Sequence, residues 1–170
     1  MHFVVQSKIE KMKKRFIKWR SQVLVFLTHE IALPMLKIFR RPYIFPYEKD
    51  ELKDFPPGSL GNDLYVFLEK RKLQLLKHYT RHDLKHIVLD FDTTDEGEAC
   101  LQSFMLGNGR ISFPVIATVL YSLITMPEYW EKIKIAFQKG RQSNSIHHWP
   151  WTDLLHEPTS ELRNRIFNDK

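Results

Sequence analysis

Apolar residues in this chain recur at helical rather than strand spacing. Ile9, Met12, Phe16, Trp19, Val23 and Leu27 fall three or four residues apart, which places them on one side of a helix. The pattern predicts a long helix over residues 7–33. Pro34 bends or ends it, because a proline has no N–H to donate to the preceding turn. Arg40, Arg41, Pro42, Tyr43, Ile44, Phe45 and Pro46 read as an extended linker, since proline disfavours helix at itself and at the residue before it. Residues 55–61 contain Pro56, Pro57, Gly58 and Gly61 and form a second irregular stretch. A helix is expected over 62–70.

The next stripe is Leu73, Leu76, Thr80, Leu84, Ile87, Val88 and Phe91. It keeps helical spacing to about Leu89, with a restart near Thr80 as the alternative. Thr80 and Asp83 have the spacing of a capping box, with Asp where Glu or Gln is usual. Thr93 and Glu96 make a fuller one and open a helix that runs to about Leu106, where Gly107-Asn108-Gly109 breaks it. Further helices fit 113–126, 127–140, 151–155 and 160–167, with a loop over 143–150. Pro127 suits a first helical turn. Strand alternation is weak throughout. The expected fold is all-α, one domain with a long basic amphipathic N-terminal helix in an arm over 1–41. An irregular linker over 42–61 and a helical part over 62–170 follow.

Composition narrows the chemistry. The 170 residues are 43% hydrophobic and 13% aromatic, enough to bury a core. Cys100 is the one cysteine, so a disulfide framework within the chain and a thiolate zinc cage are both excluded. Any metal site must use His and carboxylates. Cys100 itself is expected to be a small core residue.

The net charge of +6 is unevenly spread. Residues 1–41 hold ten Lys/Arg against Glu10 and Glu30, whereas the remainder holds 16 basic and 18 acidic residues. The arm, not the domain, therefore seeks an anionic surface. With Phe16 and Trp19 on its stripe, the arm is expected to contact a membrane rather than nucleic acid, for which no recognition motif accompanies the charge. The bland reading is that the stripe packs on the domain and the charges are solvated. No cleavable signal peptide is expected, and residues 23–39 are too interrupted by His29, Glu30, Pro34 and Lys37 for a good spanning helix.

One constellation carries chemistry. His82 and His86 lie four residues apart, so their imidazoles share a helix face one turn apart. Two such rings can meet one cation at about 2.0–2.1 Å. Asp83 stands about 100° around the helix, and Glu98 follows on the next helix after a short loop. His82, Asp83, His86 and Glu98 are thus candidate ligands of one divalent metal. The spacing resembles that of a zincin helix, with Asp in place of its catalytic Glu. His-Asp also occurs in HD-type phosphohydrolases, which need a further upstream His and a distant Asp. The bland reading has two solvated histidines, a capping Asp and a helix-dipole Glu. His147 and His148, adjacent in a loop, are expected at the surface. The uncharged run 113–123 is expected to be buried core.

The segment His82-Asp83-Leu84-Lys85-His86, followed by eleven residues and Glu98, resembles the signature of the coenzyme Q biosynthesis protein four family. Pro57-Gly58-Ser59-Leu60-Gly61, Glu96-Gly97-Glu98-Ala99, Lys139-Gly140 and Trp149-Pro150-Trp151 resemble other blocks of that family in the same order. The likeness spans roughly residues 55–165. It implies an all-α peripheral membrane protein of ubiquinone biosynthesis. Its metal, Zn or else Fe(II), would sit on His82, Asp83, His86 and Glu98, which would act in catalysis through that metal. The implied activity is a metal-dependent lyase, removing the C1 carboxylate, oxidatively or not, of a polyprenylated 4-hydroxybenzoate. The alternative is a non-catalytic scaffold that binds isoprenoid or quinone lipids. Expected partners are a prenylated aromatic or isoprenoid lipid and a membrane surface met through residues 1–41. A homodimer and other quinone-biosynthesis enzymes are further candidates. The expected location is the cytoplasmic face of a bacterial inner membrane, or the mitochondrial inner membrane in a eukaryote. The resemblance also gives the 113–123 run a second role, as the wall of a tunnel for an isoprenoid tail. Two positions depart from the family. Asp90 stands where Gly is common four residues after the second His, placing another carboxylate near the site. Lys85 stands where an aromatic or apolar residue is common.

Overall fold

The structure is a computed structural model, and it describes residues 2–26 and 44–168. Seven α-helices run through the described residues: α1 His2–Val25, α2 Leu60–Arg71, α3 Thr80–Leu89, α4 Asp95–Gly107, α5 Phe113–Thr125, α6 Trp130–Gln142 and α7 Thr159–Phe167. Short 3₁₀ turns occupy Asp50–Asp54, Pro127–Tyr129 and Asp153–His156. No strand occurs among the described residues, and Ser59 and Pro158 form an isolated bridge. The all-α expectation holds. The end of the expected 7–33 helix, Pro34 and the first residues of the 40–46 linker lie outside the described residues.

The core is one cluster. Leu64, Leu68, Leu84, Val88, Leu101 and Phe104 are among its fully buried members. Phe45, Leu52 and Phe55 join it from the 44–59 segment, so that stretch packs as well as connects. The most extensive helix contact is between α4 and α6. It depends on two glycines: a Cβ on Gly140 would sit 2.2 Å from the Phe104 carbonyl oxygen, and one on Gly107 would sit 2.1 Å from that of Phe137. Neither backbone could approach so closely past a side chain. Buried Asn108 secures the exit of this pair, donating to the carbonyls of Gly140 (3.2 Å) and Asn144 (3.0 Å).

Three local readings change. The stripe beginning at Leu73 does not continue one long helix. Lys72 adopts a left-handed conformation (φ 53°), and the Leu73 N–H donates back to the Leu68 carbonyl at 2.9 Å, which closes α2. Helix resumes at Thr80. Thr80 is the first residue of α3 rather than its cap, and its hydroxyl donates to the Leu76 carbonyl at 3.2 Å. At α4 the cap is Thr94, not Thr93: its hydroxyl accepts from Gly97 N at 3.2 Å, while Asp92 Oδ1 accepts from the Thr94 N–H at 2.9 Å. Asp92 supplies the local bond that shifts the cap by one residue.

The middle of the stripe predicted for α1 faces solvent, and Val23 is half-buried. Met12, Phe16 and Trp19 are exposed. What docks the helix is the flank that carries Arg20, Ser21 and Leu24. Arg20 is buried; its guanidinium pairs with Glu128, approaches Asp95 to 4.0 Å and donates to the Thr125 carbonyl at 3.1 Å. Ser21 also donates to Asp95. Met12, Phe16 and Trp19 therefore take no part in that docking.

Candidate metal centre

α3 and the first turns of α4 build the site. His82 and His86 project from one face of α3. Their Nε2 atoms lie 2.9 Å apart, and Glu98 Oε2 lies 3.0 Å from the first and 3.2 Å from the second. Glu98 stands on the first turn of α4. Among the described residues, the set of three or more His, Cys, Asp or Glu donors all within 4.8 Å of one another is His82, His86 and Glu98. Asp83 is not in it. This follows from the helix angle that separates Asp83 from the two histidines.

Two turns of backbone aim these side chains. α3 ends in Asp90, which adopts a left-handed conformation (φ 59°). The Phe91 N–H then donates to the His86 carbonyl at 3.1 Å, a Schellman closure. The same turn carries the Phe91 carbonyl to 3.0 Å from His86 Nδ1. A carbonyl only accepts, so Nδ1 holds the proton and Nε2 of the neutral ring presents its lone pair to the cluster. Asp90 itself points to solvent and faces Arg163 at 3.6 Å, so the expected extra carboxylate does not join the site. Arg163 also donates to the Ile87 (2.7 Å) and Val88 (3.1 Å) carbonyls at the end of α3.

The loop from Phe91 then passes directly over α4. A Cβ at Gly97 would sit 2.2 Å from the Asp92 carbonyl oxygen. Glycine between Glu96 and Glu98 is what lets the loop lie against α4 and reach His86. Gln102, one turn after Glu98, donates to Glu98 Oε1 at 2.8 Å and leaves Oε2 to the histidines. Phe67 stacks on the His86 ring at 6.3 Å, and the Tyr79 ring lies 4.5 Å from that of His82. Spacing alone did not single out Gln102, Phe91 or Tyr79. Gln102 had a signal in its four-residue offset from Glu98; a backbone carbonyl leaves none.

Electrostatics follow from enclosure. Burial pushes His82 below its ordinary value, against the attraction of Glu98. Burial alone would raise Glu98, but the two imidazoles outweigh it and hold the carboxyl well below the usual range. On the flanks of the pair, burial pushes Asp83 up to about 7, and burial with Arg110 and Arg81 brings Lys85 down to about 7. Tyr79 is raised by burial and by Glu98. Of the three converging groups, His86 Nε2 and Glu98 Oε2 can only accept while neutral and ionised respectively, and His82 has one proton to give. Such a set is short of a positive partner.

A divalent cation fits that need. Three donors on an ion at about 2.0–2.1 Å lie about 2.9 Å apart at right angles and about 3.3 Å apart in a tetrahedron. The observed separations of 2.9, 3.0 and 3.2 Å fall in this interval. The His86 Nδ1 and Glu98 Oε1 bonds are of the kind that would orient such ligands around a cation. His147 and His148 take no part: they lie in the loop after α6, and His147 Nε2 is buried without a hydrogen-bond partner.

No family model matches the chain, and no curated protein matches it in sequence. A solved structure does. The crystal structure of a candidate ubiquinone biosynthesis protein from Nostoc punctiforme PCC 73102 has a TM-score of 0.59 to this chain at 22% identity, covering 91% of this chain and 82% of that one. At that identity the two share a fold.

Proposed function

We propose that this chain acts in ubiquinone biosynthesis at a membrane surface, with a divalent cation held by His82, His86 and Glu98. The observation that carries this is the convergence of three N/O donors, each pair 2.9–3.2 Å apart, with outer hydrogen bonds fixing His86 and Glu98. The shared fold with the Nostoc protein and the ordered resemblance of residues 55–165 support the pathway. The reaction we assign is loss of the C1 carboxylate of a polyprenylated 4-hydroxybenzoate as CO2, either with a proton taking its place on the ring or, by an oxidative route, with an outside oxidant such as dioxygen taking up the electrons and supplying the oxygen that replaces it. Zn is the first candidate metal; two histidines and a carboxylate also suit Fe(II). Such a cation, once bound, supplies Lewis acidity toward a carboxylate or phenolate.

The chain's own groups do the rest. His82 and Glu98 keep a partly open side, whereas His86 is closed off at 2% exposure. Substrate therefore approaches from the His82 and Glu98 side. Phe67 and Tyr79 wall the histidines and limit water. The basic 1–41 arm brings the site to a bilayer where a prenylated substrate resides, on the cytoplasmic face of a bacterial inner membrane or its mitochondrial counterpart.

Elemental analysis is the first test. Wild type should carry about one divalent ion per chain and His86→Ala almost none; equal, near-zero content in both overturns the metal reading. Turnover of a short-chain prenyl-hydroxybenzoate with Zn²⁺ or Fe²⁺ tests the chemistry. Product formation unaffected by Glu98→Ala removes the site from catalysis. Metal binding without turnover supports the scaffold instead.

A further inference from the structure

α5 inverts the usual arrangement of an amphipathic helix. No charged residue occurs between Ile111 and Pro127. Its inward face is small and partly polar: Val115, Thr118, Val119 and Ser122 are buried. Its outward stripe is large and apolar. Phe113 (58%), Leu120 (54%) and Ile124 (79%) are exposed, with Ile116 and Leu123 between them. These five fall within one helical stripe. A contiguous apolar surface of this kind marks an interaction site rather than ordinary scattered exposure.

Charge identifies the occupant. α1 touches α5, where the Tyr121 hydroxyl donates to the Arg20 carbonyl at 3.0 Å. α1 exposes Lys11, Lys13, Lys14, Arg15 and Lys18 beside its own apolar Met12, Phe16 and Trp19. A second copy meeting this surface about a two-fold axis would bring two such cationic rows together. An anionic bilayer offers apolar contact and negative charge at once. Thirteen residues of α-helix span about 20 Å, short of a hydrocarbon core of about 30 Å, and no described helix is long and apolar enough to cross a membrane. α5 would therefore lie in the plane of the interface.

We infer that the outward face of α5, with the lysine-rich α1 beside it, is the surface that inserts into the interface of an anionic bilayer. This rests on the reading that the chain works at a membrane, and assigns the apolar contact to α5 in addition to the basic arm.

The test uses the full chain and phosphatidylcholine vesicles with and without phosphatidylglycerol. Leu120→Glu/Ile124→Glu should lose about tenfold or more in partition to anionic vesicles. Lys11→Gln/Lys14→Gln/Lys18→Gln should lose about fivefold per charge on those vesicles only. Ile124→Cys carrying a polarity-sensitive fluorophore reads the face without adding charge to it, and the buried Cys100 does not compete for the label; its emission should shift to the blue on vesicles. Wild-type binding with an unshifted label, or with unchanged partition of the glutamate variant, overturns this inference and leaves the membrane reading standing. Loss of a dimer on light scattering in the glutamate variant overturns it in favour of a second copy. Wild type that binds no vesicle overturns both.

Discussion

α3 and α5 are both short helices, and each breaks the rule for what goes inside, in opposite directions. α3 buries Thr80, Lys85 and His86. α5 exposes Phe113, Leu120 and Ile124. Burying ionisable groups and exposing large apolar ones both oppose folding. A helix that does either is serving something other than its own stability. In α3 that something sits inside, a convergent donor set. In α5 it lies outside, a face that fits an apolar surface.

Deleting the same side chain from each helix should separate the two most strongly. Leu84 is fully buried on α3 and Leu120 is exposed on α5. Leu84→Ala should lower unfolding free energy by about 2–5 kcal/mol, and Leu120→Ala by less than about 0.5 kcal/mol in urea melts. Comparable losses would mean that another part of the chain covers the α5 face.

Lys85 tests the interior side. Its folded value of about 7 lies below the ordinary 10.5. Between those values the unfolded chain binds a proton that the folded chain does not, so stability rises with pH across the window and the penalty is full below 7. Lys85→Met should therefore stabilise the metal-free protein by on the order of 3 kcal/mol at pH 6, with the gain shrinking toward pH 10. A gain independent of pH would show that packing, not charge burial, is the cause.

Asp83 has the opposite sign. It is raised from 3.8 to about 7, so the folded chain keeps a proton that the unfolded chain has released, and stability falls as pH rises through that window. Asp83→Asn should add about 2 kcal/mol above pH 7 and almost nothing near pH 4, read from thermal or urea melts with chelator present. If Asp83 is instead a fourth ligand, the same variant loses metal affinity.

Gly97 tests the backbone that frames the site. An added methyl must push the Asp92 loop off α4 and with it the carbonyl that holds His86 Nδ1. Gly97→Ala should weaken metal binding by about 10–100-fold, the range for losing an outer-sphere contact. Unchanged affinity in a competition titration would separate the loop from the site.

What could be read without a structure was mostly periodicity. A four-residue offset fixes two histidines to one helix face wherever that helix is placed, and Glu98 follows too closely to be far away. Asp90 was legible as a substitute for glycine, and the structure gives the reason: that residue must be left-handed for Phe91 to turn back onto His86. Boundaries were less legible where a local bond competes, as with Asp92, which moves the α4 cap from Thr93 to Thr94.

The helical fold, the shared face of His82 and His86 and the net positive charge before residue 42 all follow from spacing and composition. Which side of each stripe meets protein depends on the neighbouring elements. α1 docks through a buried arginine and its acidic partners rather than through its apolar row, and α5 turns its small residues inward while its large apolar ones stay outside. Periodicity specifies a face, but only the neighbours that fold onto the helix specify whether that face is inside.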